Sequence, residues 1–164
     1  MPPNDPDLDA LTLAEIEEAA GELHRRIAAS LRAIGEPRAD RPDADGVTPR
    51  RDVASLAATL ELAGLVLGAV ASGSPAAVAR IDRHPALVAA VMYAAPSVSS
   101  LLVRVDQDRR LVASLARTLE SRLDEEHETP WGALRLRRLL VDVLLGEGAR
   151  CAMALEARLA ETSA

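Results

Sequence analysis

Apolar side chains recur through this chain at spacings of three and four and hardly ever at two, which leaves the α-helix as nearly the only regular structure open to it. Leu13, Ile16, Ala20, Leu23, Ile27, Leu31 and Ile34 share one helix face. Thr12 with Glu15 makes a capping box ahead of them, and Gly35 followed by Pro37 stops the run. Val53, Leu56, Leu60, Ala63, Leu67 and Val70 repeat the pattern in a second helix. A third amphipathic element, over 98–127, carries Leu101, Val105, Val112, Leu115, Leu119 and Leu123 inward. A last helix over 130–160 presents Trp131, Leu134, Leu139, Val143, Leu144, Cys151, Leu155 and Leu159, with glycines at 146 and 148 as candidate kink points. Thr48-Pro49, Ser74-Pro75 and Thr129-Pro130 each read as a hydroxyl N-cap with proline at the first helical position, where its missing N–H is no loss.

These signals predict an all-α fold: a single-domain bundle of five to six helices, mostly antiparallel. A chain of 164 residues is long enough to bury its own core. Residues 1–11 read as a flexible N-terminal tail and 12–164 as the bundle. Within the bundle the Pro-, Asp- and Arg-rich stretch 36–47 reads as a mobile loop.

Two runs, 62–79 and 85–103, contain no charged residue. Gly64 and Gly68, four apart, offer the small-xxx-small pattern of close helix contact and are candidate interface residues. Gly73, Pro75 and Pro96 interrupt these runs, so they fall short of the ~20 continuous apolar residues of a membrane span. The expectation is a central helix pair packed inside the bundle or across a subunit interface, which makes a homo-oligomer plausible.

Composition excludes more chemistry than it suggests. All 19 residues of the Lys+Arg count are arginine. Without lysine there is no P-loop, no kinase ATP lysine, no pyridoxal Schiff base and no Ser-Lys pair. A net charge of −6 argues against a nucleic-acid surface. The arginine-rich, phenylalanine-free, alanine-heavy composition is that of a GC-rich bacterial coding sequence. A single cysteine, Cys151, and a start without a basic region and apolar run fit a cytoplasmic protein.

No metal site or cofactor is expected. His24, His84, His127 and Cys151 cannot supply a spaced Cys/His zinc set, and among the histidines only His127 has a carboxylate three residues before it, Asp124. The EF-hand spacing of Asp43, Asp45, Gly46 and Asp52 fails at its first ligand position, which is Arg41.

The densest polar stretch is RLDEEHETPW, 122–131. Arg122 and His127 match the Arg-x4-His spacing found in helical ribonucleases of the HEPN kind, and they are the weak catalytic candidates. About one such match is expected by chance in a chain this rich in arginine, and residues five apart do not share a helix face. The simpler expectation is a tight connection between two antiparallel helices, anchored by Trp131. Met92 and Tyr93, in the uncharged centre, are candidates for lining a ligand pocket, although a core of small side chains would use the same residues as filler. The functional expectation is a non-enzymatic protein acting through contacts with a protein partner or with itself, as an adaptor, regulatory subunit or assembly component. One alternative is a small-molecule sensor or carrier with its pocket between the uncharged helices. The other is a helical ribonuclease-like enzyme using Arg122 and His127.

Overall fold

The computed structural model describes residues 8–76 and 79–162. They form α1 (Leu13–Ile34), α2 (Glu36–Ala39), α3 (Pro49–Ser72), α4 (Pro85–Ala94), α5 (Val98–Thr118), α6 (Leu136–Leu140) and α7 (Gly148–Thr162). A π-helical stretch, Val141–Glu147, joins α6 to α7. Short 3-10 turns occupy Leu8–Ala10, Ile81–Arg83 and Glu120–Arg122. The fold is all-α apart from one hairpin of two short strands, β1 (Glu126–Thr129) and β2 (Gly132–Arg135). Of the tail expected at 1–11, residues 1–7 lie outside the described residues.

The caps at the first two long helices are those the sequence announces. Thr12 Oγ1 accepts the Glu15 N–H at 3.3 Å, and the Glu15 carboxylate accepts the Thr12 N–H at 2.7 Å. Thr48 Oγ1 accepts the Arg51 N–H at 3.1 Å, with Pro49 in the first turn of α3. Gly73 ends α3 at φ 68°, in the left-handed region that favours glycine.

Four long helices enclose the core, and side-chain pairs fix their directions. Glu17 meets Arg117 and His24 approaches Asp106, so α1 and α5 run antiparallel. Arg158 reaches Asp52 from the far end of α7, so α3 and α7 are antiparallel as well. The two most extensively packed pairs, however, run parallel. On α3 and α5, Glu61 meets Arg104, and Gly64 sits farther along beside Leu111. On α1 and α7, Gly148 lies against Leu23 and, a little farther along both helices, Glu156 pairs with Arg26. The sequence-based expectation of mostly antiparallel packing thus holds for two neighbouring pairs and not for the closest ones. Ile16, Ile27 and Leu31 of α1, Leu67 of α3, Leu101 of α5 and Leu155 of α7 are fully buried between them. Removing each such side chain from water contributes about 1.5–3 kcal/mol.

Gly64 is buried, and a Cβ added there would stand 3.8 Å from Leu111 Cδ2. Its small size therefore serves the contact between α3 and α5 within the chain. Gly68 has nothing within 4 Å of an added Cβ. Among the described residues α3 is the one helix long and apolar enough to cross a membrane, and 72% of that stretch is buried inside the fold, as in a core helix.

Three local expectations are overturned. Thr129-Pro130 does not start a helix: it forms the turn of the hairpin, and the helix begins at Leu136. Thr129 Oγ1 accepts the Trp131 N–H and donates to the Gly132 carbonyl, and Gly132 takes φ 104°. Proline at the second and glycine at the fourth turn position is the signature of a tight turn, and it outweighs the capping signal. The stretch is therefore not a direct helix–helix connection. Ser74-Pro75 also starts no helix; both residues are exposed beyond the end of α3.

The 36–47 segment, expected as a loop, carries α2 and a tight turn closed by Asp43. Buried Arg50 holds it from one side by donating to Glu36, Asp40 and the Pro96 carbonyl. Arg158 holds it from the other, through Asp43 and the Val47 carbonyl.

Candidate functional site

A cleft of about 410 Å³ lies where the first half of α3 faces the start of α7, with the Ile81–Arg83 turn and α4 closing one side. Helical spacing explains its lining. Arg51, Ser55 and Thr59 stand four apart on α3, and Arg150 and Ala154 stand four apart on α7, so each helix presents one face to the gap. Leu56, Val88, Cys151 and Ala154 make the apolar part; Arg51, Arg83, Arg150, Asp52 and Glu147 supply the charge.

Glu147 ends the π-helical stretch, whose extra residue per turn re-aims side chains relative to a plain α-helix. Its Oε1 pairs with Arg150 Nη2 at 2.8 Å and accepts a long hydrogen bond from Arg83 Nη2 at 3.5 Å. Only 18% of the Glu147 side chain is exposed, whereas Arg83 and Arg150 are more than half exposed. Asp52 is held from outside the cleft by Arg158 at 3.0 Å. Burial pushes the Asp52 carboxyl above its usual range despite that partner. Arg51 makes no ion pair among the described residues and is exposed.

One wall is fixed by a fully buried carboxylate. Asp82 accepts two hydrogen bonds from Arg80, at 2.8 and 2.9 Å, and one from Thr59 Oγ1 at 3.0 Å. Burial pushes the Asp82 carboxyl up, but these donors and the Arg80 charge outweigh it and leave it below the usual carboxylate range. The Arg80 guanidinium in turn covers the Trp131 ring, 4.8 Å from its centre, so the hairpin tip braces the turn that carries Arg83.

The hydroxyls of the cleft are engaged and its thiol is protonated. Ser55 donates to the Arg51 carbonyl at 2.8 Å and Thr59 donates to Asp82. The Cys151 thiol is pushed up to about 12, chiefly by burial, and so carries no thiolate near neutrality. Among the described residues no group of three or more His, Cys, Asp or Glu side chains is placed to hold a metal ion.

The residues singled out by sequence lie elsewhere. Arg122 and His127 do come together, but through Glu125: Arg122 Nε donates to Glu125 Oε2 at 2.8 Å, and His127 Nε2 lies 3.4 Å from the same oxygen without hydrogen-bond geometry. Arg122 also donates to the Val70 carbonyl at the end of α3. The pair sits at the hairpin base and takes no part in lining the cleft. Tyr93 is 89% exposed, so it neither lines an interior pocket nor fills the core; Met92 packs partly buried against the core. Sequence reasoning missed the cleft entirely. Its sole trace there is the polar series Arg51, Ser55, Thr59 on an otherwise apolar helix.

A second, broader groove of about 580 Å³ runs between α1 and α5 past His24, Arg32, Val103, Asp106 and Arg110. Asp106 accepts from Arg109 Nη2 at 2.7 Å and pairs with Arg110, while Arg32 makes no ion pair among the described residues. His24 is kept below its ordinary value, mainly by burial.

No protein-family model matches the sequence, and no curated protein matches it. Solved structures do share the fold. An uncharacterised protein from Clostridium difficile 630 superposes with a TM-score of 0.71 at 11% identity, covering 89% of this chain and 94% of its own. A protein from Streptococcus pneumoniae superposes with a TM-score of 0.72 at 12% identity, covering 90% of each chain. At such identities the likeness is one of fold alone.

Proposed function

We propose that this protein binds a small organic molecule reversibly in the cleft between α3 and α7 and works as a sensor or carrier, not as an enzyme. This is the small-molecule alternative of the sequence reading, moved from the neighbourhood of Tyr93 to the charged end of α3. The observation that carries it is a concavity with an apolar floor and convergent charged groups in which every hydroxyl and the thiol is already committed. Such a site offers binding energy without a free nucleophile.

The test is a native mass spectrum and a melting curve of the protein with the small-molecule fraction of its host's extract, beside an Ala154→Trp variant that plugs the cleft. A non-covalent adduct and a raised Tm for the wild-type chain alone are expected. Turnover of the bound compound, or equal binding by the plugged variant, would overturn the reading.

A second reading keeps the protein-contact expectation. Ala86, Ala89, Ala90, Tyr93 and Ala94 form an exposed, uncharged face on α4, and Val88 on the opposite side of that helix lines the cleft. A partner, or a second copy, on that face would touch the helix that also walls the ligand site. Loss of a pull-down partner, or of a dimer, on Tyr93→Asp is the expected result.

A further inference from the structure

The charges of the cleft do not balance. Three guanidiniums, of Arg51, Arg83 and Arg150, face two carboxylates, and one of these, Asp52, is already engaged by Arg158. The excess sits in a chain whose net charge is −6, so it runs against the molecule's average. Arg51 stands in the first turn of the 24-residue α3, where the helix dipole adds positive potential. Glu147 is the one carboxylate left to Arg83 and Arg150, and it reaches them with a single oxygen. Directly beside it lie Leu56, Val88, Cys151 and Ala154, an apolar bed that inorganic phosphate would leave unused.

From this we infer that the ligand is an organic acid: a carboxylate or phosphate monoester whose anionic group takes the place of Glu147 between Arg83 and Arg150, while its apolar body lies on Leu56, Val88, Cys151 and Ala154. Arg51, whose guanidinium makes no ion pair among the described residues, supplies the third cationic contact. A planar guanidinium pair suits this geometry because it can meet two oxygens of one anion at once. Glu147 thereby acts as a built-in competitor. It holds the two arginines in place when the site is empty and lowers the affinity for the incoming acid by the strength of its own pairing. The inference rests on the ligand-binding reading above and adds to it the ligand's charge and position.

Calorimetric titration with four probes sharing one chain separates the two claims: hexanoate, hexyl phosphate, 1-hexanol and hexylammonium. Hexanoate and hexyl phosphate are expected to bind at least about tenfold more tightly than hexanol, the gain of one charge-assisted contact. Arg150→Gln, at an exposed position that the fold does not need, lowers the affinity for both acids by about tenfold and leaves hexanol unchanged. Glu147→Gln raises the affinity for both acids several-fold, and raised salt weakens them in every variant.

If hexanol or hexylammonium binds as tightly as the acids, and Ala154→Trp abolishes that binding, the cleft is a ligand site of another chemistry and the present inference alone fails. If the acids bind Ala154→Trp undiminished, or if Glu147→Gln weakens them, the position assigned to the anion is wrong. If none of the four binds, both the inference and the ligand-binding reading fall. Circular dichroism of each variant accompanies the titrations, and Arg51→Gln, another exposed position, repeats the arginine test should Arg150→Gln unfold.

Discussion

Two arginine–carboxylate clusters in this molecule look alike chemically and differ in how they are assembled. Arg122, Glu125 and His127 lie within six residues of one another, on a 3-10 turn, the bend after it and the strand that follows. Arg83 stands 64 residues before Glu147, and these two and Arg150 meet across a concave space, braced by buried Asp82 and its partner Arg80. The first cluster is dense in sequence because charged residues gather where a chain turns through solvent. The second is invisible in sequence because Arg83 stands on a short turn and Glu147 and Arg150 on a distant helix, and nothing along the chain says that the two meet. Polar density along the chain therefore marks a corner here, and convergence of distant side chains marks the site.

The sharpest way to break this contrast is to delete one carboxylate from each region. Asp82→Ala leaves Arg80 without its partner and Thr59 without its acceptor, and is expected to cost about 3–5 kcal/mol, the range for breaking a buried pair. Glu125→Ala removes a carboxylate that is half exposed and is expected to cost at most about 1 kcal/mol. Urea unfolding at neutral pH measures both, and equal losses would erase the distinction. The pH dependence has a definite sign. The folded carboxyl of Asp82 lies below its usual value, so its contribution is fully present above about pH 4 and is lost as pH falls through the folded pKa. Acid unfolding of the wild type should therefore be shallower in Asp82→Asn.

The two Thr-Pro dipeptides show how far the sequence can be read. Thr48-Pro49 caps a helix because Val53, Leu56 and Leu60 follow at helical spacing and give the first turn a face to bury. Thr129-Pro130 has the same local chemistry but is followed by Trp131-Gly132, and a glycine at φ 104° closes a hairpin before any helix can start. The helices over 13–34 and 49–72 are legible because each carries its own cap and its own apolar stripe, whereas the third, expected over 98–127, ends at Thr118 ahead of a 3-10 turn and the hairpin. The pairing of helices is not legible, since Leu and Ala faces fit one another in either direction. The place of Tyr93 is not legible for a related reason: an uncharged run does not say which of its residues face water. The cleft depends on that pairing, and so it could not be foreseen.

Asp108 gives a second, interior test on the α3–α5 seam. Its carboxyl is pushed up to about 6 by burial, against the pull of Arg104 at 3.0 Å. The folded state thus takes up a proton that the unfolded chain, with an ordinary value of about 3.9, has released, and this group favours folding as pH falls from about 6 to about 4. Asp82 works in the opposite direction at lower pH, so the two buried carboxylates are separable. In Asp108→Asn, the difference in urea midpoint between pH 7 and pH 5 should shrink relative to the wild type; an unchanged difference would place the titrating group elsewhere. A smaller effect is expected at the hairpin turn. Gly132→Ala meets open space but keeps an unfavourable φ, at about 1–2 kcal/mol, close to the ~1 kcal/mol expected for Thr48→Ala at the α3 cap.

The smallest effects belong to the cluster the sequence advertises. Arg122 is 39% exposed and shares Glu125 with His127, so each side chain keeps solvent or a neighbour when the other is removed. Arg122→Ala forfeits one exposed ion pair and one hydrogen bond to the Val70 carbonyl, which keeps the Gly73 N–H as a donor. His127→Ala removes a ring that makes no hydrogen bond to Glu125. Each should cost less than about 1 kcal/mol, in keeping with measured surface pairs. The double variant should fall short of the sum of the two, because both act on one carboxylate. Neither should alter the titration with hexanoate. A loss of hexanoate binding on His127→Ala would join the two clusters into one functional unit. The contrast between corner and site would then have to be replaced by a coupling that runs along the hairpin, through Trp131 and Arg80, into the cleft.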